Sequence, residues 1–160
     1  MDQQNLNTTT NQIFERLLEL LAINASFETS VEENDGAFVV NVEMQEVDES
    51  GLLIGSRGTT LNAIQSFLAL SLRQSVGQWV PVRLDIGNWR GRHEDYLEDL
   101  ASQTAERAVT TGEPQYLYNL SPSQRRVIHV ALSKRSDVTS ESQGEGVERC
   151  LIVTAKSETK

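Results

Sequence analysis

Residues 50–74, SGLLIGSRGTTLNAIQSFLALSLRQ, set two glycines three positions apart, Gly55 and Gly58, between a short apolar run, Leu52 to Ile54, and an amphipathic stretch. In that stretch Leu61, Ile64, Phe67, Leu68 and Leu72 recur at helical spacing, and Thr59 or Thr60 offers a side-chain cap at its start. The segment is therefore predicted to be helix, glycine loop, helix. Working outward, Val80, Val82, Leu84 and Ile86 alternate with Pro81, Arg83 and Asp85, the pattern of a half-buried strand. Upstream, Phe27, Thr29 and Val31 alternate in the same way, and after the turn signal Asn34-Asp35-Gly36 the run Ala37 to Val42 reads as a second strand. From Thr10 to Leu21, Ile13, Phe14, Leu17, Leu18, Leu20 and Leu21 mark an amphipathic helix. The predicted order of the first half is α-β-β-α-α-β, and residues 1–9 are expected to be a disordered tail.

Past Asn88 the chain changes character. Arg90, Arg92 and His93 cluster ahead of a predicted long helix, Glu94 to about Val109, stopped by Thr111-Gly112-Glu113-Pro114. A short extended piece is expected within 115–120. Ser121-Pro122-Ser123-Gln124 then combines a serine cap, proline in the first turn and a glutamine that reaches back, so a helix is expected to run to about Ser133. Val138 to Ser142 and Arg149 to Thr154 read as a closing hairpin, and 156–160 as a C-terminal tail. The expected fold class is α+β, with one domain over 10–88 and a second, helices packed on a small sheet, over 89–155.

Composition bounds the function. The chain has 160 residues, 38% hydrophobic and 23% charged, and contains no apolar run of the roughly 20 residues a membrane helix needs. The N-terminus lacks the basic-then-apolar pattern of a signal peptide, so a cytoplasmic protein without membrane association is expected. One cysteine, Cys150, and two histidines, His93 and His129, do not make the usual zinc site; neither a metal nor another cofactor is expected. The net charge of −9 argues against indiscriminate nucleic-acid binding, but the charge is uneven. Residues 1–88 carry 4 arginines against 12 acids, whereas residues 89–160 carry 10 Lys and Arg against 11 acids. A nucleic-acid surface would be local and bordered by repulsion.

Three groups of residues could form such a surface. In Ile54-Gly55-Ser56-Arg57-Gly58 the glycines permit close backbone approach, the following helix start favours an anion, and Arg57 adds a charged donor. A steric role at a helix corner is the plain alternative for an isolated glycine pair. No Lys-Ser or Lys-Thr follows at P-loop spacing, which disfavours nucleotide hydrolysis. In Arg125-Arg126-Val127-Ile128-His129, helical projection groups Val127, Ile128, Val130, Ala131 and Leu132 on one arc and Arg125, Arg126, His129 and Ser133 on the other. That strip is either the wet face of an amphipathic helix or a phosphate site, the latter offsetting the cost of cations near a helix start. Arg90 and Arg92 line the same surface or pair with Glu94, Asp95 and Asp99. No nucleophile stands at a spacing that activates either histidine, so no catalytic residue is expected. Trp79 and Trp89 are read as packing residues with base stacking as the alternative, and Cys150 as a small core residue.

The α-β-β-α-α-β order with GxxG between paired helices resembles a type II KH domain, a module that clamps single-stranded nucleic acid on its loop. With RRVIHVAL and SESQGEGVERCLIV, the chain from about residue 10 to 155 resembles the Jag (KhpB, SpoIIIJ-associated) family of bacteria, which joins a KH domain to a second domain named for its Arg-x-x-x-His motif. The resemblance implies a non-catalytic, cytoplasmic protein that binds single-stranded RNA, with single-stranded DNA the other candidate. The resemblance also implies a tie to post-transcriptional control of cell envelope growth and division. Ile54, Gly55, Ser56, Arg57 and Gly58 would form the KH clamp, and Arg125, Arg126 and His129, flanked by Arg90 and Arg92, would contact phosphates. A small single-KH protein or a second copy of the chain is the implied protein partner. Ser56 stands where relatives often carry a second basic residue, and residues 1–9 leave no room for the further N-terminal domain of many relatives. The alternative from another class is a protein-interaction scaffold whose RNA binding is weak or depends on a partner.

Overall fold

Leu6, Thr10, Phe14 and Leu18 repeat every four residues, and all four are buried along one stripe of helix α1, Gln3–Leu20. The computed structural model that shows this describes residues 2–156, the side chains of Asn34 and Val147 excepted. The helix thus begins seven residues before the expected Thr10, and residues 3–9 are not the disordered tail predicted for them. Asp2 caps it by accepting from the Gln4 N–H, and the buried Thr10 hydroxyl donates to the Leu6 carbonyl, so this polar side chain enters the core already bonded. Asn7 Nδ2 donates to the Thr29 carbonyl at 2.7 Å and ties the same turn to strand β1 (Phe27–Asn34).

The chain divides into two compact units, Met1–Arg90 and Gly91–Lys160. In the first, α1 is followed by β1, β2 (Ala37–Met44), the short helix α2 (Ser50–Ile54), a 3-10 turn (Ser56–Gly58), α3 (Thr59–Val76) and β3 (Val82–Ile86). The sheet order is β1-β2-β3, with β1 antiparallel and β3 parallel to the central β2. Alternation puts Val40, Val42 and Met44 of β2 and Val82, Leu84 and Ile86 of β3 on one face, where they form a core with Leu61, Leu68 and Leu72 of α3 and the buried stripe of α1. Phe27 meets Phe14 edge-on, ring centroids 4.8 Å apart. Phe67, expected in the apolar stripe of α3, is instead 48% exposed; it lies beyond the arc that Leu61, Ile64, Leu68 and Leu72 fill.

The second unit takes up α4 (Trp89–Thr111) from its third residue and continues with β4 (Gln115–Leu117), α5 (Pro122–Ser133), β5 (Val138–Gln143), a 3-10 turn (Gly146–Glu148) and β6 (Cys150–Ala155). Its antiparallel sheet has the order β4-β6-β5. Leu97, Ala101, Ala105 and Ala108 of α4 pack with Ile128 and Leu132 of α5 on Leu151 and Val153 of the central strand. The alanines at i, i+4 and i+7 put small side chains on the buried line of α4. Val130, assigned to the apolar arc of α5, is 49% exposed, because Gln124, Ile128 and Leu132 already occupy the buried line. No helix among the described residues is long and apolar enough to cross a membrane. Of the expected C-terminal tail, 157–160 lie outside the described residues; the Lys156 N–H donates to the Asp137 carbonyl.

Candidate functional site

The glycine loop is built from left-handed backbone. Helix α2 stops at Gly55, φ 69, Arg57 lies at φ 53, and Gly58 at φ 77. Gly58, not Thr59 or Thr60, is the N-cap of α3, and as a glycine it brings no side chain to the first turn. Both glycines are required on two counts: each has a positive φ, and a Cβ would collide with Thr60 at Gly55 and with the Trp89 indole at Gly58. Ile54 is half-buried against the core, whereas Ser56 and Arg57 are exposed at the tip. The arrangement anchors the loop from below and presents a guanidinium beside the positive end of an 18-residue helix.

Helix α5 carries the second group. Its start is fixed by a capping box: the Gln124 N–H donates to Ser121 Oγ at 3.2 Å, and the Ser121 N–H donates to Gln124 Oε1 at 2.8 Å. Gln124 is buried, and its Nε2 lies 2.9 Å from His93 Nε2 on α4, so His93 supports the helix start. His93 also stacks on Tyr96. Arg125 is half-buried and folds back, Nη1 donating to the Leu120 carbonyl at 2.7 Å; it does not point straight into solvent as the helical projection implied. Arg126 and His129 are exposed, and His129 Nδ1 lies 2.7 Å from Ser140 Oγ on β5. That bond orients the imidazole from its Nδ1 side and leaves Nε2 for an outside partner.

The α5–β5 connection holds this pairing in place. Arg135 Nε and Nη2 donate to the two carboxylate oxygens of Asp137 at 3.0 and 2.7 Å, a two-pronged bond across the connection. Hydrogen bonding from Arg135 holds the Asp137 carboxyl below the usual carboxylate range, and the same bond raises the Arg135 guanidinium further.

The cluster of Arg90, Arg92 and His93 separates. Arg90 bonds within the first unit: Nε donates to the Leu84 carbonyl, Nη2 to Asn62 Oδ1 and Gln65 Oε1, and its N–H to Asp85 Oδ1. It straps β3 to α3. The Gln65 oxygen also accepts from the Leu84 N–H at 3.1 Å. Arg92 is exposed on α4. Sequence reasoning missed Ser140 and the Leu120 carbonyl: a serine in a polar strand and a backbone acceptor carry no local signal. Trp89 packs on Gly58, while Trp79 is 56% exposed. Among the described residues no group of three or more His, Cys, Asp or Glu could hold a metal ion.

A family model described as the R-3-H domain, after the Arg-x-x-x-His motif, matches residues 95–155. The RNA-binding protein KhpB of Clostridium symbiosum is 34% identical over 139 residues, 87% of this chain and 62% of the relative. That of Bacillus subtilis (strain 168) is 33% identical over 111 residues, 68% of this chain and 53% of the relative. That of Lactiplantibacillus plantarum is 32% identical over 108 residues, covering 68% and 34%. The chain thus spans less than two thirds of the length of these curated relatives. With the Arg125-to-His129 spacing inside the matched region, the chain belongs to the Jag/KhpB family.

Proposed function

We propose that the chain is a non-catalytic, single-stranded RNA-binding protein of the cytoplasm. In this reading the first unit is a type II KH domain, its clamp formed by Ile54, Gly55, Ser56, Arg57 and Gly58, and Arg125, Arg126 and His129 contact phosphates from α5. The α-β-β-α-α-β order, with the glycine loop between α2 and α3, supports the KH assignment. The observation that carries the function is on α5. Two arginines, Arg125 half-buried and Arg126 exposed, stand near a helix start, where the macrodipole disfavours cations unless an anion offsets it, and the exposed His129 follows one turn after Arg125. The relatives named RNA-binding protein KhpB point the same way. Arg90 is assigned to the strap between β3 and α3, which leaves Arg92 as the flanking donor. From the family resemblance we take a role in post-transcriptional control of envelope growth and division, with a small single-KH protein or a second copy as partner.

The test is fluorescence anisotropy with a labelled single-stranded RNA pool at two salt concentrations. The parent is compared with Ser56→Asp/Arg57→Asp and with Arg125→Ala/His129→Ala. Binding that weakens with salt by about 0.7 log units per contact per log unit of salt, and is reduced in both variants, is expected. Aspartate tolerates left-handed backbone, so the loop variant keeps its fold. Undiminished binding in both variants would overturn the proposal.

A second reading, a protein-interaction scaffold, draws on the open face of the first sheet. There Glu28, Glu43 and Asp85 stand in register across three strands, a surface that repels phosphate and attracts basic groups. Binding to RNA that is absent in the parent alone and appears only with a protein partner would favour it.

A further inference from the structure

The second sheet is covered by helices on one face only. On the other, alternation sets Tyr116 of β4, Cys150, Ile152 and Thr154 of β6, and Glu141 of β5. Tyr118, just past β4, shares this side, and its ring stacks on that of Tyr116 with centroids 6.2 Å apart and planes within 15°. The two rings are 51% and 57% exposed, a large aromatic surface to leave in water. They border a concavity lined also by Asn119, Gln143, Glu148 and Cys150. In register across the sheet, Tyr116 stands opposite Ile152 and Ile152 opposite Glu141, so the backbones of Tyr116 and Glu141 are two strand spacings apart, about 9.5 Å, on the same face.

The charges around the rings select the occupant. Among the residues lining the concavity, Glu148 is charged and no Lys, Arg or His is present. Arg149 is turned away: its Nε donates to Ser142 Oγ, and Ser142 pairs with Leu151 on the helix-covered face. Lys156 follows the far end of β6, about 20 Å along the strand from Cys150. A base-stacking platform for nucleic acid couples aromatic rings to a cationic groove. Here the rings are coupled to carboxylates, which is the complement of a guanidinium: its plane stacks on a phenol face while its N–H groups reach a carboxylate.

We propose that this open face, centred on Tyr116, Tyr118 and Glu148, docks an arginine-bearing segment of a protein partner. The site is separate from the α5 surface proposed for RNA. The test uses the full chain and two labelled probes, a nine-residue peptide of alternating glycine and arginine and a ten-nucleotide oligouridine, with anisotropy read for each. Tyr118→Leu keeps an apolar side chain and removes the phenol face; Glu148→Gln keeps shape and removes charge; circular dichroism checks that both fold.

The arginine peptide is expected to bind the parent, to bind Tyr118→Leu about 5- to 10-fold more weakly, and to prefer the parent over Glu148→Gln at low salt. A lysine version of the peptide should bind more weakly than the arginine version. Arg125→Ala/His129→Ala should leave peptide binding unchanged while reducing oligouridine binding, so the two proposals fail independently. Equal peptide binding by parent and Tyr118→Leu would overturn the docking site. So would a loss of oligouridine binding in Tyr118→Leu with peptide binding intact, which would assign the face to RNA.

Discussion

The Trp89 indole lies against the α-carbon of Gly58, so closely that no side chain fits between them. The residue that opens α4 therefore holds the glycine that caps α3, and the geometry of the exposed loop depends on a ring 31 positions away in sequence. Gly58→Ala combines two costs, a Cβ forced into the ring and an L residue at φ 77. The expected destabilisation is about 2–4 kcal/mol, read from urea unfolding followed by tryptophan fluorescence. A variant with an unchanged midpoint would show that Trp89 does not pack there.

Glu43 predicts the opposite direction. It stands directly opposite Glu28 on β1 and Asp85 on β3, and like charges in register on one sheet face repel. Glu43→Thr, a good strand former, is expected to raise stability by about 0.5 kcal/mol at low salt, with the gain shrinking as salt is added. The check is the urea midpoint of both proteins at two ionic strengths. A gain that does not respond to salt would assign the effect to strand propensity instead.

Ser140 tests how the histidine is held. Its hydroxyl is 2.7 Å from His129 Nδ1, and removing it frees the imidazole to rotate. Ser140→Ala is expected to lower RNA affinity about 2- to 5-fold, the worth of one lost orienting hydrogen bond, with the melting temperature nearly unchanged. Anisotropy titrations at constant salt decide it; the prediction fails if Ser140→Ala binds as the parent does while His129→Ala does not.

Much of this architecture is legible in the sequence, because periodicity and turn chemistry are local. The alternation of Val82, Leu84 and Ile86 and the capping box at Ser121 and Gln124 are written in adjacent residues. What stays hidden depends on partners remote in the chain. The start of α1 is obscured by Asn and Thr, poor helix formers; burial of Leu6 and the bonds of Thr10 and Asn7 outweigh that preference. Arg90 reads as a surface cation until Asn62 and Gln65, 28 and 25 positions away, are brought beside it. The pair of Arg125 and His129 is visible as a spacing, but the acceptor at Leu120 depends on how the chain turns into α5, and the hydroxyl at Ser140 appears only when β5 is folded against α5.

The pairing of Arg135 with Asp137 makes the connection ahead of β5 sensitive to acid. Hydrogen bonding from Arg135 lowers the Asp137 carboxyl in the folded chain, so the folded state favours the ionised form more than the unfolded state does. The pair's contribution is therefore fully present above the ordinary carboxylate range, about pH 4, and is lost as the pH falls through and below it. Both side chains are partly exposed, which keeps the effect small. Asp137→Asn removes the titrating group. Relative to the parent it should be less stable at neutral pH, and the difference should narrow steadily below about pH 4. Because Asp137 precedes the strand that presents Ser140, the variant should also broaden the His129 imidazole resonances in a proton NMR spectrum at neutral pH. A stability difference that stayed constant from neutral to acid pH would mean that Asp137 acts through its backbone turn and not through the ion pair.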